Sequence, residues 1–339
     1  MKTSKDTSVL HFLEPFTEWL EQPDVTEICS NRADEVFVER NGKWERHDAP
    51  ITYDHMRSLG TAVAKFSSNE FSDTRPVLSA ILPKGQRVQF VMPPACEDGT
   101  ISMTIRKPSF LLRDIETYVE QGFFSKIRPI IADLSEEEME LVGLYEGKDY
   151  ARFLQRAVRV GKVIVVAGAT GSGKTTFMKA LMQEIPKSQR LITIEDVPEL
   201  FLPNHPNHVH LFYPSEAKEE ENAPITSASL LRSCMRMKPD RILLAELRGP
   251  ETYDFVNICA SGHGGSITSV HAGSAELAFE RLSLMMLQNR QGRAIPYEVI
   301  RQMLYSVIDI VFHIRSDGTE RHITEIWFDP AVKRQSVRH

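Results

Sequence analysis

The sequence predicts an α/β protein in two parts, a smaller α+β domain followed by a domain built on a mainly parallel sheet. Two observations carry this. Up to Arg106, strand-like runs are short and joined by turn signals, of which Asn41-Gly42 is the clearest hairpin turn. From Val163 onward, continuous apolar runs alternate with helical stretches, the pattern of parallel strands covered on both faces.

The first part reads as follows. Val25–Ser30 and Glu35–Arg40 are strands joined by the turn-prone Asn31–Asp34, and Lys43–Arg46 returns after the hairpin turn. Tyr53–Phe66 has helical spacing, with Met56, Leu59, Val63 and Phe66 on one side. Val77–Leu82 and Arg87–Val91 flank a Pro83-Lys84-Gly85 turn. Thr100–Arg106 alternates, with Ile101, Met103 and Ile105 facing one way. Pro108, Pro129 and the acidic run after Ser135 then break the strand pattern. Ser135 with Glu138 fits a capping box that opens a short helix.

The second part carries the strands Val163–Ala167, Arg190–Glu195, Val209–Phe212 and Arg241–Glu246. Helices are predicted at Lys174–Ile185, 226–237, 250–260 and 274–288. Asp309–Ile314 and His322–Phe328 return to strand, with Asp317-Gly318 as the turn. We divide the chain into 1–128, a linker at 129–148, and 149–339.

Composition narrows the classes of function. The 339 residues carry a net charge of −6 with no dense basic run, which argues against sequence-specific nucleic-acid binding as the main task. Cys29, Cys96, Cys234 and Cys259 form no C-x-x-C pair, so they read as buried thiols in a reducing compartment. No signal peptide and no run of ~18 apolar residues appears, so a cytoplasmic protein is expected, reaching a membrane only as a peripheral partner.

Gly168-Ala169-Thr170-Gly171-Ser172-Gly173-Lys174-Thr175 satisfies G-x-x-x-x-G-K-[ST] between a strand and a helix. Its glycines let backbone N–H groups turn inward on phosphate oxygens, and the helix N-terminus adds positive potential. Lys174 suits the β- and γ-phosphates, Thr175 a Mg²⁺ ion, and Thr176 at most a phosphate contact. Leu191–Asp196 ends in two acids, Glu195 and Asp196, placed near the phosphates if that strand neighbours the loop strand. Arg241–Glu246 delivers a further carboxylate, suited to the metal's water shell or to the attacking water, and Arg248 follows it. Ser261–Ala272 holds His263 and His271, either suited to sensing a γ-phosphate. Arg87 and Arg106 are charge-clamp candidates or plain solvated strand residues. The histidines 205, 208 and 210 read as a loop and short strand rather than a metal site, and Glu216–Glu221 as a solvated charge run.

Four boxes thus stand in order: the phosphate loop, Thr193-Ile-Glu-Asp196, Leu243-Leu-Ala-Glu-Leu-Arg248 and Gly262-His-Gly-Gly265 with His271-Ala272. Together with Gly85–Gln89 and Thr104–Ser109, they resemble the secretion or traffic ATPases, and most closely those of type IV secretion. The resemblance implies a RecA-like P-loop domain and a homo-hexamer holding ATP and Mg²⁺ between N- and C-terminal domains. It implies a cytoplasmic motor docked on other secretion-system components at the inner membrane, powering pilus assembly and export of DNA–protein complexes or effectors. By that resemblance Lys174 and Thr175 bind phosphate and metal, Glu195 and Glu246 lie near the attacking water, His271 is a sensor, and Arg87 and Arg106 contact nucleotide. Ala245 departs from the glycine usual there, and the four-cysteine insertion of type II motors is absent. A hexameric DNA translocase with a similar core is the alternative, and a non-hydrolysing, ATP-locked scaffold a third.

Overall fold

The computed structural model describes residues 6–109, 112–127, 133–215, 223 and 225–336. The first layer holds α1 (Thr7–Phe12), α2 (Thr17–Glu21), β1 (Val25–Ser30), β2 (Glu35–Arg40), β3 (Lys43–Asp48), α3 (Tyr53–Phe66), β4 (Val77–Ile81), β5 (Arg87–Val91) and β6 (Ser102–Arg106). Its strands run β3-β2-β1-β6-β5-β4, all antiparallel. Asn41 and Gly42 both take positive φ, 48° and 74°, as the predicted two-residue turn requires. The apolar stripe of α3 closes one face of this sheet through Met56, Leu59 and Val63.

Along the chain, α4 (Ile115–Glu120), α5 (Glu136–Glu146) and α6 (Tyr150–Arg159) follow β6. The predicted capping box opens α5: Glu138 N donates to Ser135 Oγ at 3.2 Å, and Ser135 N donates to the Glu138 carboxylate at 2.8 Å. Pro129 and the run Glu216–Glu221 lie outside the described residues.

The second layer follows with β7 (Ile164–Gly168), α7 (Lys174–Met182), β8 (Leu191–Glu195), β9 (His208–Phe212), α8 (Ser227–Cys234), β10 (Arg241–Leu247), α9 (Glu251–Ala260), β11 (Ile267–Val270), α10 (Ala275–Gln288), α11 (Tyr297–Val307), β12 (Ile310–Ser316), β13 (Arg321–Phe328) and α12 (Pro330–Ser336). Strand order is β13-β12-β7-β11-β10-β8-β9, parallel throughout except for β13. Helices cover both faces, which is why β7 and β8 are apolar and wholly buried. On one face α7 buries Met178, Leu181 and Met182, each stabilising the layer by about 1.5–3 kcal/mol. The four cysteines are buried free thiols.

The two layers meet through polar groups the alternation pattern did not assign. Ser102 and Thr104, on the face of β6 opposite Met103 and Ile105, are also buried, because that face meets the second layer. Arg190, fully buried, donates through Nε to Met237 O at 2.8 Å and through its guanidinium to Asn31 Oδ1 at 2.6 Å. Phe212 N donates to Ala95 O at 3.0 Å, Gln89 Nε2 to Ser233 Oγ at 2.9 Å, and Lys238 pairs with Glu39 at 2.9 Å. The first layer is therefore anchored on the β8–β9 edge and α8.

Candidate active site at the strand tips

The loop from Gly168 to Thr175 joins the end of β7 to α7. Gly171 and Gly173 hold φ of 73° and 95°, a region closed to most side chains. A β-carbon on Gly168 would sit 2.5 Å from Ile314 O on β12, so that position admits no side chain. Ala169, Thr170 and Gly171 form an exposed crest, while Ser172 is buried. Lys174 is buried beneath the crest, and its Nζ donates to Gly168 O at 3.0 Å and Ala169 O at 2.9 Å. Burial lowers its pKa, against the opposing charge of Glu246. Thr175 and Thr176 occupy the first turn of α7, half-buried and exposed respectively.

A chain of contacts among acidic, basic and imidazole side chains crosses the tips of β8, β10 and β11 and ends at this loop. Arg248 donates through Nε to Glu246 at 2.7 Å and through its other arm to Asp196. Glu246 Oε1 lies 2.8 Å from His271 Nε2, and His271 Nδ1 lies 3.4 Å from Lys174 Nζ. The Glu246–His271 contact is a close approach, and no aligned hydrogen bond reaches Oε1. Burial pushes the Asp196 carboxyl up, but Arg248 outweighs it and holds the group below its ordinary value. Two residues missed in the sequence brace this chain: Glu251 accepts from Arg248 N at 2.7 Å, and Ser215 Oγ donates to Asp196 at 3.1 Å. An acid in the first turn of a helix was the available signal for Glu251.

Glu195 stands elsewhere. Its strand, β8, does not neighbour β7; β11 and β10 intervene, placing it about 14 Å away at ~4.8 Å per strand. Its carboxylate is fully buried and accepts from Glu199 N at 2.8 Å, Leu200 N at 2.7 Å and Thr193 Oγ1 at 2.6 Å. The expectation of Glu195 near the phosphates requires β8 to neighbour the loop strand, and that condition is not met; one Glu195 oxygen serves backbone amides and the other meets Thr193 and His210. His263 is corrected as well. It precedes β11, whereas His271 follows it, so the two lie at opposite ends of that strand. His263 is half-buried near Lys238, and burial lowers its pKa.

Arg87 and Arg106 are directly paired across β5 and β6. They line a cleft of about 590 Å³ with Glu27, Glu39, Lys107 and Lys238, and no residue of the loop lines it. Of the three neighbouring histidines, His208 is pushed down to about 4 by burial and by Arg32. Among the described residues no group of three or more His, Cys, Asp or Glu side chains is arranged to hold a metal.

Comparisons with known proteins place the chain in a family. The family model described as "Type II/IV secretion system protein" matches residues 12–317. The chain belongs to that family. It is 65% identical over 337 residues to the type IV secretion system protein VirB11 of Brucella suis, covering 98% of this chain and 93% of that protein. It is 43% identical to PtlH of Bordetella pertussis, covering 96% of each. The crystal structure of the Brucella suis VirB11 ATPase in complex with sulphate superposes with a TM-score of 0.93 at 61% identity, covering 99% of this chain and 98% of that one.

Within the type II/IV secretion family this chain is a type IV secretion traffic ATPase with a RecA-like C-terminal domain and an α+β N-terminal domain. Its departure at Ala245 is accommodated: the residue is half-buried, its carbonyl accepts from Ser269 Oγ at 2.7 Å, and β10 continues through it to Leu247.

Proposed function

We propose that the chain works as a homo-hexameric, Mg²⁺-dependent motor of a type IV secretion system, powering pilus assembly and the export of DNA–protein complexes or effectors. It would act in the cytoplasm, docked on other secretion components at the inner membrane. Among the described residues no helix is long and apolar enough to cross a membrane. The reading as a DNA translocase is set aside, since the relatives matched over nearly the whole chain are secretion-system proteins.

The observation that carries the catalytic part is the contact chain Lys174–His271–Glu246. Loop amides and Lys174 hold the β- and γ-phosphates. Glu246 orients the attacking water, and His271, touching both, responds to the terminal phosphate and conveys its presence to Glu246. Arg248 holds the Glu246 carboxylate in place and ties it to Asp196. Thr175 and, through water, Glu246 offer the hard oxygen donors that suit Mg²⁺, which takes few protein ligands, while Asp196, at the end of β8 like Glu195, reaches the site only through Arg248. Bound there, the ion would neutralise charge developing on the phosphates.

Arg87 and Arg106 line a cleft without any loop residue, so the clamp is assigned to the loop of an adjacent subunit. Mixing two inactive variants, Lys174→Ala and Arg106→Ala, tests this. Mixed rings should recover phosphate release by pairing an intact loop with an intact arginine. No recovery from mixed particles of hexameric mass would refute the assignment.

A further inference from the structure

The loop has a flank opposite the charge chain. β7 lies between β11 and β12, so Glu246 and His271 are on one side of the loop and the β12–β13 hairpin is on the other. Arg321 stands on that hairpin. A β-carbon built on Gly173 would be 3.0 Å from Arg321 Cδ and 3.5 Å from its Nε, so the guanidinium stem lies against the loop backbone at the start of α7.

A break in register aims it there. β13 pairs Glu325 with His313 but Ile323 with Ile314, leaving Thr324 as an extra residue in the strand. Trp327 packs on the α10 side and Glu325 accepts from Ala275 N at the start of α10, whereas Ile326 and Phe328 pack on the α7 side. Strict alternation from Trp327 and Glu325 would send Ile323 and Arg321 to the α10 side too. The bulge at Thr324 reverses the faces, so Ile323 joins the α7-side core and Arg321 reaches Gly173.

The rest of the hairpin's charge is partly spent. Asp317 pairs with Arg315 at 2.8 Å and His322 at 3.4 Å. Among the described residues Arg321 makes no ion pair of its own and is exposed beside a loop built for a polyanion.

We propose that Arg321 binds the α-phosphate end of the nucleotide within the same chain, on the side away from Glu246. The proposal rests on the loop's role as a nucleotide site and adds a residue that none of the four sequence boxes contains. A charge-assisted contact of this kind is worth about tenfold in affinity.

Fluorescent ATP and ADP analogues, titrated against wild type, Arg321→Ala, Arg321→Lys and Lys174→Ala, test it together with steady-state phosphate release. Arg321→Ala should weaken ATP and ADP alike, by about tenfold, raising KM while kcat stays within about twofold. Arg321→Lys should restore part of the affinity. Unchanged binding in Arg321→Ala, or a loss confined to ATP, overturns the assignment; the second outcome would move the arginine to the γ end. If Lys174→Ala binds as tightly as wild type, the fault lies with the loop itself, and the proposal falls with it.

Discussion

His271 Nδ1 lies 3.4 Å from Lys174 Nζ, which joins the tip of β11 to the floor of the phosphate loop. The other ring nitrogen faces Glu246 at 2.8 Å. One imidazole therefore spans the loop lysine and the carboxylate proposed to face the attacking water. A γ-phosphate drawing Lys174 off the loop carbonyls changes what His271 meets on one side, and so what it offers Glu246 on the other.

His271→Ala should lower turnover about 10- to 100-fold while ADP affinity stays within about twofold, because the ring acts on the reacting end. Stopped-flow phosphate release beside ADP titration checks this. A loss of ADP binding as large as the loss of turnover would make the histidine a structural prop.

Glu195 should behave as a structural acid. Glu195→Gln replaces one of two acceptor oxygens that serve the Glu199 and Leu200 amides and the Thr193 hydroxyl with a donor, a cost of about 1–3 kcal/mol, and should lower the melting temperature. Nucleotide affinity of the folded fraction should stay at the wild-type level. Weakened ATP binding with unchanged melting would return Glu195 to the site.

The cleft of Arg87 and Arg106 carries a pH dependence. Burial pushes the Glu27 carboxyl up to about 7, against the pull of Arg106. The folded form thus holds a proton that the unfolded chain releases near its ordinary value of 4.5, so stability falls as pH rises from about 4.5 to 7. Glu27→Gln should remove that loss and stabilise the protein at pH 8 by at most about 3 kcal/mol, with little gain at pH 4. Urea unfolding at the two pH values measures it, and an equal effect at both contradicts the assignment.

The sequence made the buried strands legible because parallel strands covered on both faces must be apolar from end to end, as β7 and β8 are. The loop was legible because its glycines and lysine have fixed spacing. Strand order was not legible. Nothing in Leu191–Asp196 says that β10 and β11 insert between it and the loop strand, so Glu195 looked closer to the phosphates than it is. His263 and His271 each looked suited to sensing a γ-phosphate because they share a Gly-rich segment, yet β11 puts them at its opposite ends. Arg321 escaped notice because its direction depends on one bulged residue, and alternation counted along β13 gives the opposite face. Arg190 escaped for a related reason: it precedes an apolar strand, and only the docking of the first layer buries it.

The central claim is that Glu246, at the tip of β10, is the carboxylate that readies water for attack on a loop-bound triphosphate. Single-turnover phosphate release by Glu246→Gln measures it most directly. The variant should bind ATP with wild-type affinity and release phosphate at least about 100-fold more slowly. Release at the wild-type rate from a correctly folded Glu246→Gln protein would contradict the account.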